Sequence, residues 1–141
     1  MIAKFSVPGC PTGKGRPRFD GRSGRTYTPE KTARYENLVK IEYQSQCGGI
    51  RFSDVAMLDM RVIAYYQPPK SVSKKKREMM LSGKARPLKV PDVDNIIKSI
   101  ADSLNGIAYR DDRQIVDCQV RKFYSDEPRV VVIIREVEAS T

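Results

Sequence analysis

The sequence predicts a single α/β (α+β) domain in which one β-sheet packs against two main helices. Segments of alternating apolar and polar residues indicate strands, and two longer segments carry apolar residues at helical spacing. No internal repeat or linker divides the 141 residues. A chain of this length buries roughly two-thirds of its unfolded surface on folding, which is enough for one hydrophobic core. We therefore expect residues 1–141 to form one domain.

Four segments are predicted to be strands. Apolar residues occupy every second position of residues 3–7 and 55–66, and a similar alternation recurs in 114–120. The fourth strand is the apolar run 129–134, which follows a turn. Both alternating faces of residues 55–66 contain apolar side chains, so we expect this strand to be at least partly covered on both sides.

Two segments are predicted to be the main helices. Thr28 and Pro29 are typical of an N-cap and a first helical position, and Gly48-Gly49 would end this helix. The second helix has apolar residues at i, i+3 and i+4 spacing over 93–104, and Asn105-Gly106 would end it.

Two further segments are rich in basic residues or turn residues. Residues 8–24 contain many Gly, Pro and Arg residues and are expected to be a loop. Residues 70–90 are expected to be a basic loop or a short helix that closes at Gly83.

The positive charge of the chain is concentrated in two segments. The net charge is +9, of which residues 11–34 carry +5 and residues 70–89 carry +7, while the rest of the chain totals −3. Such clustering favours a polyanion as the partner, although two solvated basic loops would give the same pattern. The predicted DNA-binding residues are Lys14, Arg16, Arg18, Lys74, Lys75, Lys76 and Arg77.

The composition excludes several kinds of site. The chain has no histidine, which removes His general bases and His metal ligands. Cys10, Cys47 and Cys118 are widely spaced, which argues against a disulfide framework and a zinc knuckle. No apolar segment is as long as a membrane span, and no signal peptide precedes the first strand. We therefore expect a cytoplasmic protein that does not bind a membrane.

Two acidic pairs are the strongest candidate for a site. Asp92 and Asp94 lie at the start of the second helix, with Lys98 one turn beyond Asp94 and on the same side. Asp111 and Asp112 follow the helix after a short loop. Carboxylates that meet can hold Mg²⁺, which lowers the pKa of a bound water, and a nearby lysine can stabilise negative charge. The spacing alone does not decide whether the two pairs meet.

Each acidic residue also has a structural interpretation. Asp92 suits an N-cap, and Asp94 suits the positive end of the helix dipole. Asp94 and Lys98 also form an ordinary i, i+4 pair, worth about 0.3–0.5 kcal/mol. Asp111 and Asp112 are common turn residues. The acidic pairs within a basic, histidine-free chain make a metal-dependent nuclease about as well supported as these alternatives.

Residues 91–116, PDVDNIIKSIADSLNGIAYRDDRQIV, resemble the signature of RusA-type Holliday junction resolvases. The residue types and the gap between the acidic pairs agree, and a weaker resemblance covers most of the chain. The resemblance implies a mixed, mainly antiparallel sheet and a homodimeric endonuclease. Such an enzyme makes paired nicks across four-way DNA junctions in recombination and repair, using Mg²⁺ or Mn²⁺. The basic insertion around 70–89 departs from the shortest members and resembles the version in phages of Gram-positive hosts.

The resemblance also implies roles for individual residues. The residues that it assigns to catalysis are Asp92, Asp94, Lys98 and Asp112. Asp92, Asp94 and Asp112 would bind the metal, with Asp111 as a further candidate. Asp102, two turns beyond Asp94, is expected to lie on the surface or behind the metal ligands.

Two other functions remain open from the sequence. A non-catalytic basic nucleic-acid-binding protein would use the acids only as caps and solvated residues. A carboxylate-metal hydrolase of small phosphates would not need the two basic segments. Tyr27, Tyr35 and Tyr109 could each stack on an exposed base at a branch point, although core packing is the more ordinary role of Tyr35.

Overall fold

The computed structural model describes residues 1–16, 18–27 and 29–138. Its elements, in chain order, are β1 (Ile2–Pro8), β2 (Arg18–Asp20), β3 (Arg25–Tyr27), α1 (Glu30–Cys47), β4 (Leu58–Tyr66), α2 (Lys74–Leu81), α3 (Val93–Ser103), β5 (Ile115–Tyr124) and β6 (Arg129–Glu136). A short 3₁₀ turn, Asp112–Gln114, leads into β5.

The main sheet has the strand order β1-β6-β4-β5. Strand β6 pairs antiparallel with both β1 and β4, whereas β5 pairs parallel with β4. The sheet is therefore mixed and mainly antiparallel, which confirms the predicted fold class. A parallel pair requires a long crossover connection, and the segment that contains α2 and α3 provides it.

One face of the sheet and the two long helices enclose the hydrophobic core. Alternation along β4 directs Met60 and Val62 towards the helices, and both are buried. Val39 and Tyr43 of α1 are buried in the same core, and the ring of Phe5 in β1 meets that of Tyr43 edge to face at 5.3 Å between centroids. Each fully buried large apolar side chain contributes about 1.5–3 kcal/mol, so this core fixes both helices on the sheet.

The segment before α1 differs from the sequence prediction. Residues 8–24 are not a loop throughout, because β2 pairs with β3 in a two-stranded hairpin. Gly24 closes its turn with a φ of 69°, and its N–H donates to the carbonyl of Asp20 at 2.9 Å. Helix α1 begins at Glu30, so Pro29 precedes the helix instead of occupying its first position. Thr28, the predicted N-cap, lies outside the described residues.

The basic segment 70–90 contains a helix, so the second of its two sequence alternatives is correct. Ser73 caps α2 by accepting a hydrogen bond from the backbone N–H of Lys76 at 3.2 Å. Gly83 follows the helix with a φ of 84°, as expected for a residue that ends it. Among the described helices, none has the length and apolar character to cross a membrane.

Candidate active site

The amphipathic character of α3 determines where the candidate site lies. Ile96 and Ile100 are 2% and 1% exposed and pack into the core. On another side of the helix, Asp94, Lys98 and Asp102 recur at four-residue spacing and therefore form a row. We call this row the polar face of α3. Val93, although apolar, is 47% exposed at the first helical position, so it does not belong to the buried stripe.

A glycine-rich loop that precedes β2 lies against α3. The backbone N–H of Lys14 donates to Asn95 Oδ1 at 3.1 Å, and that of Gly15 donates to Thr32 Oγ1 of α1 at 2.8 Å. A Cβ atom on Gly13 would lie 2.2 Å from Asn95 Nδ2, so this close approach requires glycine. The loop is therefore held against both long helices.

A groove of about 390 Å³ lies between this loop and the first turns of α3. Its lining residues are Lys14, Gly15, Arg16, Asp92, Asp94, Asn95 and Lys98. Asp92 occupies the N-cap position, yet its side chain makes no capping hydrogen bond. The Asp94–Lys98 ion pair, which was the structural alternative for these residues, does not occur among the ion pairs of the described residues. Two carboxylates and a lysine thus face the groove without pairing to one another.

A second acidic cluster lies beyond the other end of the polar face. The carboxyl of Asp112 contacts those of Asp102 and Asp111, and burial together with these neighbours raises the pKa of Asp112 from 3.8 to about 6. Lys14 Nζ lies 2.6 Å from Asp102 Oδ2. Burial raises the pKa of Asp102, but the hydrogen bond from Lys14, the contact with Asp112 and the charges of Lys14 and Lys98 together outweigh burial, so the pKa remains below its ordinary value. The same hydrogen bond raises the pKa of Lys14.

Asp111 has a structural role in this cluster. Its side chain accepts a hydrogen bond from the backbone N–H of Arg113 at 2.8 Å, and its own N–H donates to Gln114 Oε1 at 3.2 Å. These two bonds form a capping box at the start of the 3₁₀ turn. The backbone N–H of Asp112 donates to Asn105 Oδ1 at 2.8 Å, which fixes the chain after α3. Asp111 therefore has the turn role that the sequence allowed, and its role as a metal ligand stays a prediction.

The two acidic pairs do not meet within one chain. Asp94 and Asp102 are eight residues apart in α3, which is about 12 Å along the helix axis, and Asp112 lies at the Asp102 end. In the part of the chain that the structure describes, no group of three or more acidic or cysteine side chains has an arrangement that could hold a metal ion. The expected convergence of Asp92, Asp94 and Asp112 on one ion is therefore not found in the single chain.

The sequence did not reveal the pairing of Asp102 with Lys14. Asp102 was expected on the surface or behind the metal ligands, and the structure places it half-buried beside Asp112. The four-residue spacing from Lys98 was a signal that Asp102 shares the polar face. The contact with Lys14 joins residues 88 positions apart, and no local pattern indicates it.

Some predicted DNA-binding residues are exposed. Arg16 is exposed at the edge of the groove, and residues 74–76 are exposed on α2. The side chain of Arg18 lies outside the described part of the chain. These positions fit a contact with a polyanion, which stays a prediction.

Two other predicted DNA-binding residues pair with acids. Lys14 contacts Asp102, and Arg77 of α2 forms an ion pair with Asp126 in the turn after β5. Both side chains are therefore already engaged within the protein.

Burial separates the three tyrosines that were considered for base stacking. Tyr35 and Tyr109 are 8% and 0% exposed, so both belong to the core, and Tyr109 donates its hydroxyl to the carbonyl of Ala101 at 2.6 Å. Tyr27 is 50% exposed on β3. Base stacking by Tyr35 or Tyr109 would require part of the core to open.

The groove holds two carboxylates without an ion pair among the described residues, together with a lysine and an arginine, and such a set of side chains is compatible with carboxylate chemistry on a phosphodiester. Comparison with known families gives the specific assignment. The family model described as "Endodeoxyribonuclease RusA" matches residues 8–135, and the chain belongs to this family. The resemblance seen in residues 91–116 is thereby confirmed.

A curated relative matches the chain along nearly its whole length. "Uncharacterized protein YqaN" of Bacillus subtilis (strain 168) is 43% identical over 141 residues, which covers 96% of this chain and 97% of that protein. The family assignment, which identifies a nuclease, therefore carries the functional argument.

Proposed function

We propose that this chain is a Mg²⁺-dependent endodeoxyribonuclease that resolves four-way DNA junctions by paired nicks, in DNA recombination and repair. Family membership supports the nuclease activity. The observation that carries the proposal is the groove in which Asp92 and Asp94 lie near Lys98 without an internal ion pair. Two carboxylates that form no ion pair within the described part of the chain, beside a basic loop, are more useful for ligand binding than for stability.

We propose a Mg²⁺ site with two acids of one chain, because no group of three acidic side chains among the described residues could hold a metal ion. Mg²⁺ is commonly held by one or two carboxylates, with water and substrate phosphate as its other ligands. Asp92 and Asp94 line the same groove and would hold the ion in this way. Mg²⁺ or Mn²⁺ bound there would lower the pKa of a water and offset charge on the phosphate.

The basic residues of the groove would act on the phosphate. Lys98 is exposed one turn beyond Asp94, and as a point charge it would stabilise negative charge that develops on the phosphate oxygens. Arg16 would bind a neighbouring phosphate through two N–H groups. Asn95 would keep this loop in place through its hydrogen bond from the Lys14 backbone.

We also propose that Asp112 is catalytic. Its pKa of about 6 allows its carboxyl to take up and release a proton near neutral pH. A DNA backbone that follows the polar face of α3 from Asp94 would approach Asp112 about 12 Å further along. Asp111, which caps the 3₁₀ turn, would contribute mainly by contacting Asp112.

Paired nicks on two strands require two active sites. We therefore propose that the protein acts as a homodimer in which a two-fold axis relates the two grooves. A four-way junction has matching symmetry, so each groove would receive an equivalent strand.

The test uses the purified full chain with a synthetic four-way junction and a linear duplex of matched sequence. Each DNA is incubated with Mg²⁺ or with EDTA, and the products are separated under denaturing conditions. We expect paired nicks in the junction with Mg²⁺, and no nicks in the duplex or with EDTA.

Two results would change this assignment. Equal cutting of both DNAs would support nuclease activity but contradict selectivity for four-way junctions. Binding without cutting, in Mg²⁺ and in Mn²⁺, would favour the non-catalytic DNA-binding alternative.

A further inference from the structure

The side of the main sheet that faces away from α1 and α3 is strongly basic. Alternation along the strands places every second side chain on this side, which we call the outer sheet face. Its basic residues are Lys4 of β1, Arg61 of β4, Arg121 of β5, and Arg129 and Arg135 of β6. Two acidic residues share these strand positions, so the outer sheet face has a net charge of +3.

Strand register, which the sequence does not show directly, brings these side chains together. Arg129 lies opposite Tyr65, and Arg121 lies opposite Ile63, on the two strands that flank β4. Four strands at a spacing of about 4.8 Å make a surface roughly 14 Å wide between the outer strand axes. Positive charge that is scattered along the chain is therefore concentrated on one surface.

One of the two acids on the outer sheet face is already neutralised. Asp59 is 6% exposed, and its Oδ2 accepts hydrogen bonds from Arg61 Nε at 3.3 Å and from Arg135 Nε at 2.9 Å. The other acid, Asp117, is exposed on the edge strand β5. The face therefore keeps a net positive charge after the Asp59 pairs have formed.

The aromatic rings of the outer sheet face are covered by guanidinium groups. The Arg129 guanidinium lies 4.1 Å from the Tyr65 ring centroid. Arg121 and Arg86 lie 4.8 Å and 4.3 Å from the Phe123 centroid. Guanidinium groups stacked on a ring retain N–H donors for an anion, whereas the covered rings are poor platforms for bases. The surface therefore suits phosphate groups better than nucleobases.

We propose that the outer sheet face binds the phosphate backbone of duplex DNA, as a second contact surface distinct from the groove on α3. This inference rests on the proposed function in taking DNA as the polyanion. Charge complementarity identifies the occupant, because a closely spaced set of guanidinium groups attracts a chain of phosphates.

A second copy of the chain fits this surface less well. In a two-fold dimer the same patch meets itself, so the net charge of +3 on each copy would be repelled. The apolar side chains at its centre, Ile63, Val131 and Ile133, are already half-buried within the single chain. Little additional apolar surface remains there to offset that repulsion.

Two DNA-binding surfaces on opposite sides of the sheet would suit a branched substrate. One duplex arm would follow the polar face of α3, and another arm would lie on the outer sheet face. A linear duplex would engage one surface at a time, so the junction would gain affinity from simultaneous contacts.

The test compares two double variants that remove the same charge. Lys4→Ala with Arg121→Ala removes two exposed charges from the outer sheet face without disturbing the Asp59 pairs. Arg34→Ala with Arg51→Ala removes two exposed charges elsewhere. Affinity for a fluorescent duplex and a four-way junction is measured by anisotropy over a range of salt concentrations, without divalent metal.

We expect the outer-face variant to reduce the slope of log K against log salt by about 2, which corresponds to two lost phosphate contacts, while the control variant changes it little. The charge-conserving double variant Lys4→Arg with Arg121→Lys should keep the slope of the unmodified chain. Thermal melting should show that both variants fold like the unmodified chain.

Three results would overturn the proposal. The first is an equal fall of the slope in both double variants, because net charge alone would then be responsible. The second is no binding of DNA by the unmodified chain. The third is a halved mass of the outer-face variant in light scattering, because this surface would then join two copies. Cleavage is measured separately, so a failure of the proposed nuclease activity remains distinguishable from a failure of this contact.

Discussion

The two ends of the polar face of α3 carry similar residues in different surroundings. At the N-terminal end, Asp92 and Asp94 face the groove and form no ion pair among the described residues. At the C-terminal end, Asp102 and Asp112 contact each other, and Lys14 neutralises part of their charge. The difference shows that the role of a carboxylate depends on which side chains the fold places beside it. The first end is suited to bind a ligand, and the second to hold charge and protons.

The largest effect on cleavage is expected from a substitution at the N-terminal end of the polar face. Asp94→Asn removes one negative oxygen from the groove, so cleavage of a four-way junction should fall by about a thousandfold or more. Binding of the junction without metal should be retained or become tighter, because repulsion between the carboxylate and phosphate is removed. Single-turnover cleavage and anisotropy measure the two effects separately. Asp54→Asn, at an exposed loop position, is the control; an equal loss there would contradict the assignment of the groove.

The loop that connects the two ends should tolerate little change. Gly13→Ala would place a methyl group within 2.2 Å of Asn95 Nδ2, so the loop would have to move away from α3. We expect cleavage to fall by about tenfold, since Arg16 and Lys14 would lose their positions. A Cβ atom on Gly21 would meet nothing within 4 Å, so the Gly21→Ala variant should cleave the junction normally. Equal activity of the two variants would show that the docked loop does not matter for cleavage.

Substitution of Lys14 should reduce the stability that the ion pair with Asp102 contributes at the C-terminal end of the polar face. The pKa of the Asp102 carboxyl in the folded protein is below its ordinary value of 3.8. Its ionised form therefore stabilises the fold at pH values above 3.8, and this stabilisation is lost as the pH falls through the folded pKa. Lys14→Ala should therefore lower the free energy of unfolding by about 1–2 kcal/mol at pH 7, and the difference should shrink towards about pH 3. Denaturant unfolding at several pH values measures it. Lys84→Ala, at an exposed position, should have no such pH-dependent effect.

The smallest effect is expected on the free energy of unfolding, which should rise when Asp112 at the C-terminal end of the polar face is replaced. The folded pKa of Asp112 is raised from 3.8 to about 6, so its contribution to stability is present below about pH 4 and is lost as the pH rises through 6. Asp112→Asn should raise the free energy of unfolding by about 0.5–1 kcal/mol at pH 7.5 and by less at pH 5. The variant should nevertheless lose cleavage. Increased stability with full cleavage would remove Asp112 from the catalytic residues.

The sequence predicted those features of the fold that depend on nearby residues. The stripe that contains Ile96 and Ile100 predicted α3, and alternation predicted β4, because both patterns follow from the geometry of one element. The 91–116 signature also indicated the family. The short hairpin of β2 and β3 was missed, because its three-residue strands are too short to show a pattern.

The parts of the candidate site that depend on distant contacts were not predictable. Spacing gave Asp92, Asp94 and Lys98 as neighbours, since they share the start of one helix. It did not show that Asp112 contacts Asp102, or that Lys14 reaches across 88 positions to pair with Asp102. Both contacts depend on how the chain returns after α3 and on where the glycine-rich loop lies.

The buried position of Asp59 affects how tightly the outer sheet face would bind an anion. Arg61 and Arg135 have long side chains that normally lose rotational freedom, at a cost of up to about 2 kcal/mol each, when they become fixed on a ligand. Because Asp59 already holds both of them during folding, that loss of entropy occurs before any encounter. The anion would meet two guanidinium groups that are rigid in advance, so less of its interaction energy is spent on ordering them.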